Sequence, residues 1–126
     1  MQLASIRLVT NDLNRLVSFY TLLTGTAGTF LAPEFAEIRL AGAILAISSQ
    51  RLIEQFNAGA AIAAANRSAV LEFRVDDVDA VQSRLGDAAI DYVMPPTNMP
   101  WGNRSLLLRD PDGNLVNVFS KPESSP

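Results

Sequence analysis

The chain has 126 residues, 48% of them hydrophobic and 18% charged, which suits one ordinary globular domain with a full core. Ten basic against 13 acidic residues leave a net charge of −3, and no basic cluster argues for a nucleic-acid partner. Cysteine and histidine are both absent, which removes disulfides, zinc fingers, thiol nucleophiles, the Ser-His-Asp triad and the commonest metal ligand.

The first strand is expected over Leu3–Val9. Asn11 and Asp12 then offer a helix cap, and Leu13, Leu16, Val17 and Tyr20 form the apolar stripe of an amphipathic helix that Gly25 can stop. Strand-like pieces follow at Gly28–Leu31, Phe35–Leu40 and Ala43–Ser48, the last two joined by an Ala41-Gly42 turn. Leu52, Ile53 and Phe56 suggest a short helix, and an alanine-rich stretch runs from Asn57 to Asn66. Val70–Val75 then alternates as a strand, Asp77 caps a helix carrying Val78, Val81 and Leu85, and Gly86 follows it. A short strand is expected at Ile90–Val93, a loop from Pro95 to Pro100, and strands at Ser105–Arg109 and Asn114–Phe119 around the turn Asp110-Pro111-Asp112-Gly113. Proline presets φ after Asp110, and Gly113 can take the left-handed conformation that a bulged hairpin needs.

The second half repeats the first. Ile6, Leu8, Thr10, Asp12, Leu13, Leu16 and Tyr20 align with Leu71, Phe73, Val75, Asp77, Val78, Val81 and Leu85, and the run from Gly42 to Ser48 aligns with the run from Gly113 to Phe119. Each half reads β-α-β-β-β, a unit of about 60 residues that is marginal alone.

These residues carry a family resemblance. SIRLVTNDLNRLVSFYTLLTG resembles the opening of the glyoxalase/bleomycin-resistance/dioxygenase proteins, the vicinal oxygen chelate superfamily. LEFRVDDVDAVQSRL resembles the start of their second module, and PWGNRSLLLRDPDGNLVNVF their closing hairpin, so the likeness spans residues 3–120. It implies an α+β fold of two tandem β-α-β-β-β modules whose curved half-barrel sheets surround a cavity. In these terms residues 1–122 form one domain: module one over 1–50, a helical linker over 51–67, module two over 68–122, with a polar tail at 123–126. It also implies a homodimer, with modules exchanged between chains in many members.

Metalloenzymes of the family hold their metal with one ligand on the first and one on the last strand of each module. Those positions fall on Ser5, Ala46, Val70 and Asn117. Alanine and valine cannot ligate, serine and asparagine are weak neutral donors, and no slip of the alignment supplies a histidine. The chain therefore resembles a non-metal-binding member, and neither a metal nor another cofactor is expected.

Side chains alternate along a strand, so Ser5, Arg7 and Val9 share one face, as do Val70, Glu72 and Arg74, then Ile44, Ala46 and Ser48, then Leu115, Asn117 and Phe119. Ile6, Leu8, Leu45, Ile47, Leu71, Phe73, Val116 and Val118 then face the helices. Charge on the inner face is unusual unless paired. Arg7, Glu72 and Arg74 are either a polar floor for a ligand or, as the repeat equivalents Arg7 and Glu72, a plain ion pair. Trp101 is either packed at a sheet edge or an aromatic wall for a planar ligand, and the resemblance favours the wall.

The leading expectation is a metal-free small-molecule-binding protein that sequesters an antibiotic or a metabolite, with Ser5, Arg7, Ala46, Glu72, Arg74, Trp101 and Asn117 as ligand contacts and no catalytic residue. The alternatives are a metal-independent enzyme using Glu72 as acid or base, a dimer whose cavity is filled by its own side chains, and, least favoured, a metal-dependent lyase or dioxygenase. With no apolar stretch near 18 residues and no leader-like N-terminus, the expected location is the cytoplasm and no membrane partner is expected.

Overall fold

Both helix caps form as the sequence dictates. Asp12 is extended, and its carboxylate accepts from Arg15 N at 3.1 Å, starting α1 (Leu13–Thr24). Gly25 ends that helix in the left-handed conformation, φ 70°, where a Cβ would be strained. Asp77 repeats the cap, accepting from Ala80 N at 3.2 Å to start α3 (Val78–Leu85).

The computed structural model describes residues 1–121, so the polar tail expected at 123–126 lies outside the described residues. Two compact units divide at Asn66/Arg67. The first holds β1 (Ile6–Thr10), α1, β2 (Thr29–Ala32), β3 (Phe35–Leu40), β4 (Ala43–Ser49) and α2 (Gln50–Phe56). The second holds β5 (Val70–Arg74), α3, β6 (Asp91–Asn98), β7 (Arg104–Arg109) and β8 (Leu115–Ser120). The result is the expected α+β architecture of two tandem β-α-β-β-β modules.

Each module builds a four-stranded mixed sheet by the same rule. The orders are β1-β4-β3-β2 and β5-β8-β7-β6. In each, the first strand runs parallel to the last, and the helix supplies the crossover that a parallel pair needs. The register puts Leu8, Ile47 and Ala36 in one row and Phe73, Val118 and Leu106 in the matching row of the second sheet. Ala36, Ile38, Leu45 and Ile47 bury one face of the first sheet with Leu16, Val17, Tyr20 and Leu23 of α1. Leu106, Leu108, Val116 and Val118 do the same with Val78, Val81 and Leu85 of α3. Ile6 stands apart, 48% exposed at the start of its strand.

Three stretches differ from their sequence reading. The linker expected to be helical over 51–67 is helix only as far as Phe56, and the alanine-rich run after it is irregular. The first strand begins at Ile6, which leaves Ser5 just before it. The stretch expected to be a loop after Val93 is strand as far as Asn98. Pro95 and Pro96 are tolerated there because β6 pairs only with β7 and because its register shifts between Tyr92 and Met94 and again between Met94 and Thr97. An edge strand with bulges does not need every backbone N–H.

The alanine-rich stretch after α2 is tied to its own module. Gln50 donates from Nε2 to the Ala61 carbonyl at 3.0 Å and accepts from Ala63 N at 2.7 Å, pairing with the backbone as a strand would. Among the described residues no helix is long and apolar enough to cross a membrane.

Candidate functional site

With the apolar rows turned to the helices, the opposite face of each sheet carries the remaining chemistry. In the second module the parallel register sets Glu72 beside Asn117. Asn117 Nδ2 donates to Glu72 Oε2 at 2.9 Å. A carboxylate can only accept, so it fixes the amide's orientation and turns Oδ1 the other way. That oxygen is buried and, among the described residues, has no hydrogen-bond partner. An orphaned buried acceptor costs about 1–3 kcal/mol. Arg74 lies on the same face beside Phe119, exposed, and Val70 is 45% exposed beside Leu115.

In the first module the same register position sets Arg7 beside Ala46. Ala46 is 1% exposed, whereas Arg7 is exposed, with its guanidinium carbon 5.9 Å from the centre of the Phe35 ring. That is within cation–π range, a contact worth about 0.5–1 kcal/mol at an exposed site. Ser48, two residues along from Ala46, is fully buried and its hydroxyl has no hydrogen-bond partner among the described residues. Glu37 on this face pairs with Arg39, Nη2 to Oε1 at 2.9 Å. Ser5 is exposed and precedes the strand.

Trp101 sits at the tip of the β6–β7 hairpin and is 70% exposed. The tip is closed by Met99 N donating to Asn103 O at 2.7 Å and Gly102 N to Met99 O at 2.9 Å. Of the two sequence readings, the packed tryptophan therefore has no support in the structure.

The hairpin is braced from behind by a cluster that sequence reasoning missed. Arg104 donates from Nε and Nη2 to both oxygens of Asp79, at 2.8 and 2.9 Å, and from Nη1 to Asn98 Oδ1 at 3.1 Å. The fork joins the first turn of α3 to β7 and β6. The Arg104 hydrogen bonds hold the Asp79 carboxyl below the usual aspartate range, and Asp79 in turn raises Arg104. Read in sequence, Asp79 is helix-start chemistry and Arg104 a solvated cation, because nothing local signals a partner so far along the chain.

The Asp110 turn does more than its φ preferences announce. Its carboxylate, buried at 4% exposure, accepts from Asp112 N and Asn114 N at 2.9 Å each and from Asn114 Nδ2 at 2.7 Å. Gly113 closes the turn at φ 85°. With those bonds made, the turn is a structural staple that fixes the start of β8 and hence the placement of Asn117.

Comparison with known proteins agrees with this architecture. The family model of the Glyoxalase/Bleomycin resistance protein/Dioxygenase superfamily matches residues 2–118. The chain belongs to that superfamily. Among solved structures, a glyoxalase/bleomycin resistance protein/dioxygenase from Nocardioides is 27% identical, with a TM-score of 0.79 over 99% of this chain and 86% of that one. A glyoxalase-related enzyme from Fulvimarina pelagi is 26% identical, with a TM-score of 0.80 over 95% of this chain and 88% of that one. A family enzyme from Burkholderia phytofirmans PsJN, 18% identical, shares the fold at a TM-score of 0.75 over 93% of this chain and 96% of that one. No curated protein matches the chain.

The residues that the family resemblance assigns to metal-ligand positions lack the donors a divalent ion needs. Ala46 and Val70 offer no donor atom, Ser5 is an exposed neutral hydroxyl, and the Asn117 amide is engaged with Glu72. Among the described residues no group of three or more His, Cys, Asp or Glu side chains comes together.

Proposed function

We propose that this superfamily member is a metal-free binding protein that sequesters a small organic molecule, an antibiotic or a metabolite. The observation that carries the reading is the pair of matching register positions, one in each sheet, described above. Where a metalloenzyme would present ligands, this chain presents Ala46 beside an exposed Arg7, and an Asn117 amide held by Glu72. Those groups hydrogen-bond and attract charge, which is what binding without chemistry requires. Glu72, Arg74 and Asn117 on the second sheet, Arg7 and Ala46 on the first, Ser5 just before its first strand, and Trp101 at the tip of the β6–β7 hairpin are the proposed contacts, and none is given a catalytic role.

The same reading makes the protein a cytoplasmic homodimer, whose modules pair either within one chain or by exchange between two. Exposed apolar side chains on the edge strands support self-association: Phe30 and Leu31 on β2, Tyr92 and Val93 on β6. Light scattering behind size-exclusion chromatography tests the dimer, and a monomer at all concentrations overturns it.

Trp101 is the only tryptophan, so its fluorescence is a clean reporter. The expected result is saturable quenching by one class in a panel of planar antibiotics and small aromatic acids, unchanged by a chelator. A response that requires added divalent metal overturns the metal-free reading. Calorimetry with the same panel covers ligands that bind away from the indole, and silence in both methods overturns the binding reading. Glu72→Gln separates binding from catalysis, since a binding protein changes only in affinity.

A further inference from the structure

We infer that Arg7 is the anchor for an oxyanion, and that the ligand carries a carboxylate or phosphate group on a compact apolar body. The inference rests on the binding reading above and names its ligand class.

Arg7 is on β1 and Phe35 on β3, with β4 between them. To bring its guanidinium carbon within 5.9 Å of the ring centre, the Arg7 side chain must cross β4 near its register partner Ala46 and near Ser48, the partner of Phe35. Small side chains at both positions leave room for the crossing. Alanine at 46, where the superfamily's enzymes have a ligand, is thus accounted for by what Arg7 needs.

A cation–π contact at this distance uses none of the guanidinium's N–H donors as hydrogen bonds and leaves them available. Among the described residues Arg7 makes no hydrogen bond or ion pair. The acid nearest in register on this face, Glu37 across Ala46, is occupied by Arg39 at 2.9 Å. The sheet therefore presents an exposed cation that no acid compensates, held beside an aromatic ring at 5.9 Å. A planar fork so held matches a two-oxygen acceptor, carboxylate or phosphate. Val9, Ile44 and Phe35 share the face and suit an aliphatic or aromatic body. Arg74 on the other sheet is also exposed, but among the described residues it has no ring beneath it.

The test uses the full chain with three probes of one shape: benzoate, phenyl phosphate and the neutral benzamide. Binding is read by saturation-transfer NMR and calorimetry for the wild type, Arg7→Met, Arg7→Lys, Phe35→Leu and Arg51→Met, with thermal unfolding checking that each variant is folded. The wild type should bind at least one anion about tenfold more tightly than benzamide, and Arg7→Met should remove that preference. Arg7→Lys should restore only part, because it keeps the charge and loses the fork. Phe35→Leu should weaken anions with the charge intact. Arg51→Met, a cation on α2, should change nothing. Tighter benzoate assigns the group as a carboxylate, tighter phenyl phosphate as a phosphate, and either supports the anchor. Benzamide binding as well as the anions, or anion binding that survives Arg7→Met, overturns the anchor and leaves the binding reading standing. No binding of any probe by the wild type also overturns the anchor, and the wider fluorescence and calorimetry panel then decides the binding reading by itself.

Discussion

Where β1 meets β4, Arg7 faces Ala46; at the matching position of the second module, where β5 meets β8, Glu72 faces Asn117. The rows that meet the helices show the opposite behaviour. Leu8, Ile47 and Ala36 in one module answer Phe73, Val118 and Leu106 in the other, all apolar. The duplicated unit thus keeps its chemistry where folding requires it and loses it on the other face. Burial against a helix tolerates little beyond apolar side chains of fitting volume, whereas an open face tolerates a cation in one copy and an acid in the other.

The comparison breaks most visibly in the cores. Ile47→Ala should cost about 2–5 kcal/mol, since its side chain is fully buried among β1, β3 and β4 neighbours. Val118→Ala, with fewer carbons removed, should cost about 2 kcal/mol. Denaturant unfolding of each measures both, and equal small losses would contradict a core shared in kind by the two modules.

The hairpin turns before the last strands should differ next. Asp110→Ala removes the acceptor of three hydrogen bonds, two of them buried, and should cost about 3 kcal/mol. Gly42→Ala in the matching turn meets no neighbouring atom and should cost about 1 kcal/mol, from the left-handed φ of 74° alone. Unfolding midpoints compare the two, and a Gly42→Ala loss as large as that of Asp110→Ala would mean the first turn has bonds of its own.

Exchanging the residues on the faces away from the helices sharpens the contrast. Ala46→Asn places an amide where exposure is 1% and should cost about 1–3 kcal/mol. Asn117→Ala removes one bond to Glu72 together with an orphaned oxygen, so the net loss should be about 1 kcal/mol or less. The smallest effect is electrostatic. Asp79 is held below its ordinary value of 3.8 by Arg104, so the pair stabilises fully above that pH and is lost as pH falls through the depressed value. Arg104→Met should return Asp79 to the ordinary range in a carboxyl-detected NMR titration, and no upward movement would mean the fork is not made in solution.

Much of this architecture is legible in one dimension. The helix stripes, the Asp12 and Asp77 caps and the β3 limits at Phe35 and Leu40 are local patterns that need only nearby residues to act. Alternation also assigns Arg7 and Glu72 to the face away from the helices. It misses the second half of β6, beyond Val93, because proline reads as a breaker until the strand is known to be an edge. It misses the Asp79–Arg104 fork for a different reason: the fork joins the start of a helix to the second strand after it, and no local spacing encodes that.

By itself, then, the sequence determined the duplicated β-α-β-β-β order, the apolar rows and the absence of histidine and cysteine, since each follows from residue type and short-range periodicity. Only the tertiary structure decided which polar groups meet. Parallel pairing of first and last strands brings Asn117 to Glu72 across the sheet, and the width of one intervening strand lets Arg7 reach Phe35. Those contacts depend on register between strands far apart in the chain, and register is fixed by the packing of the whole module.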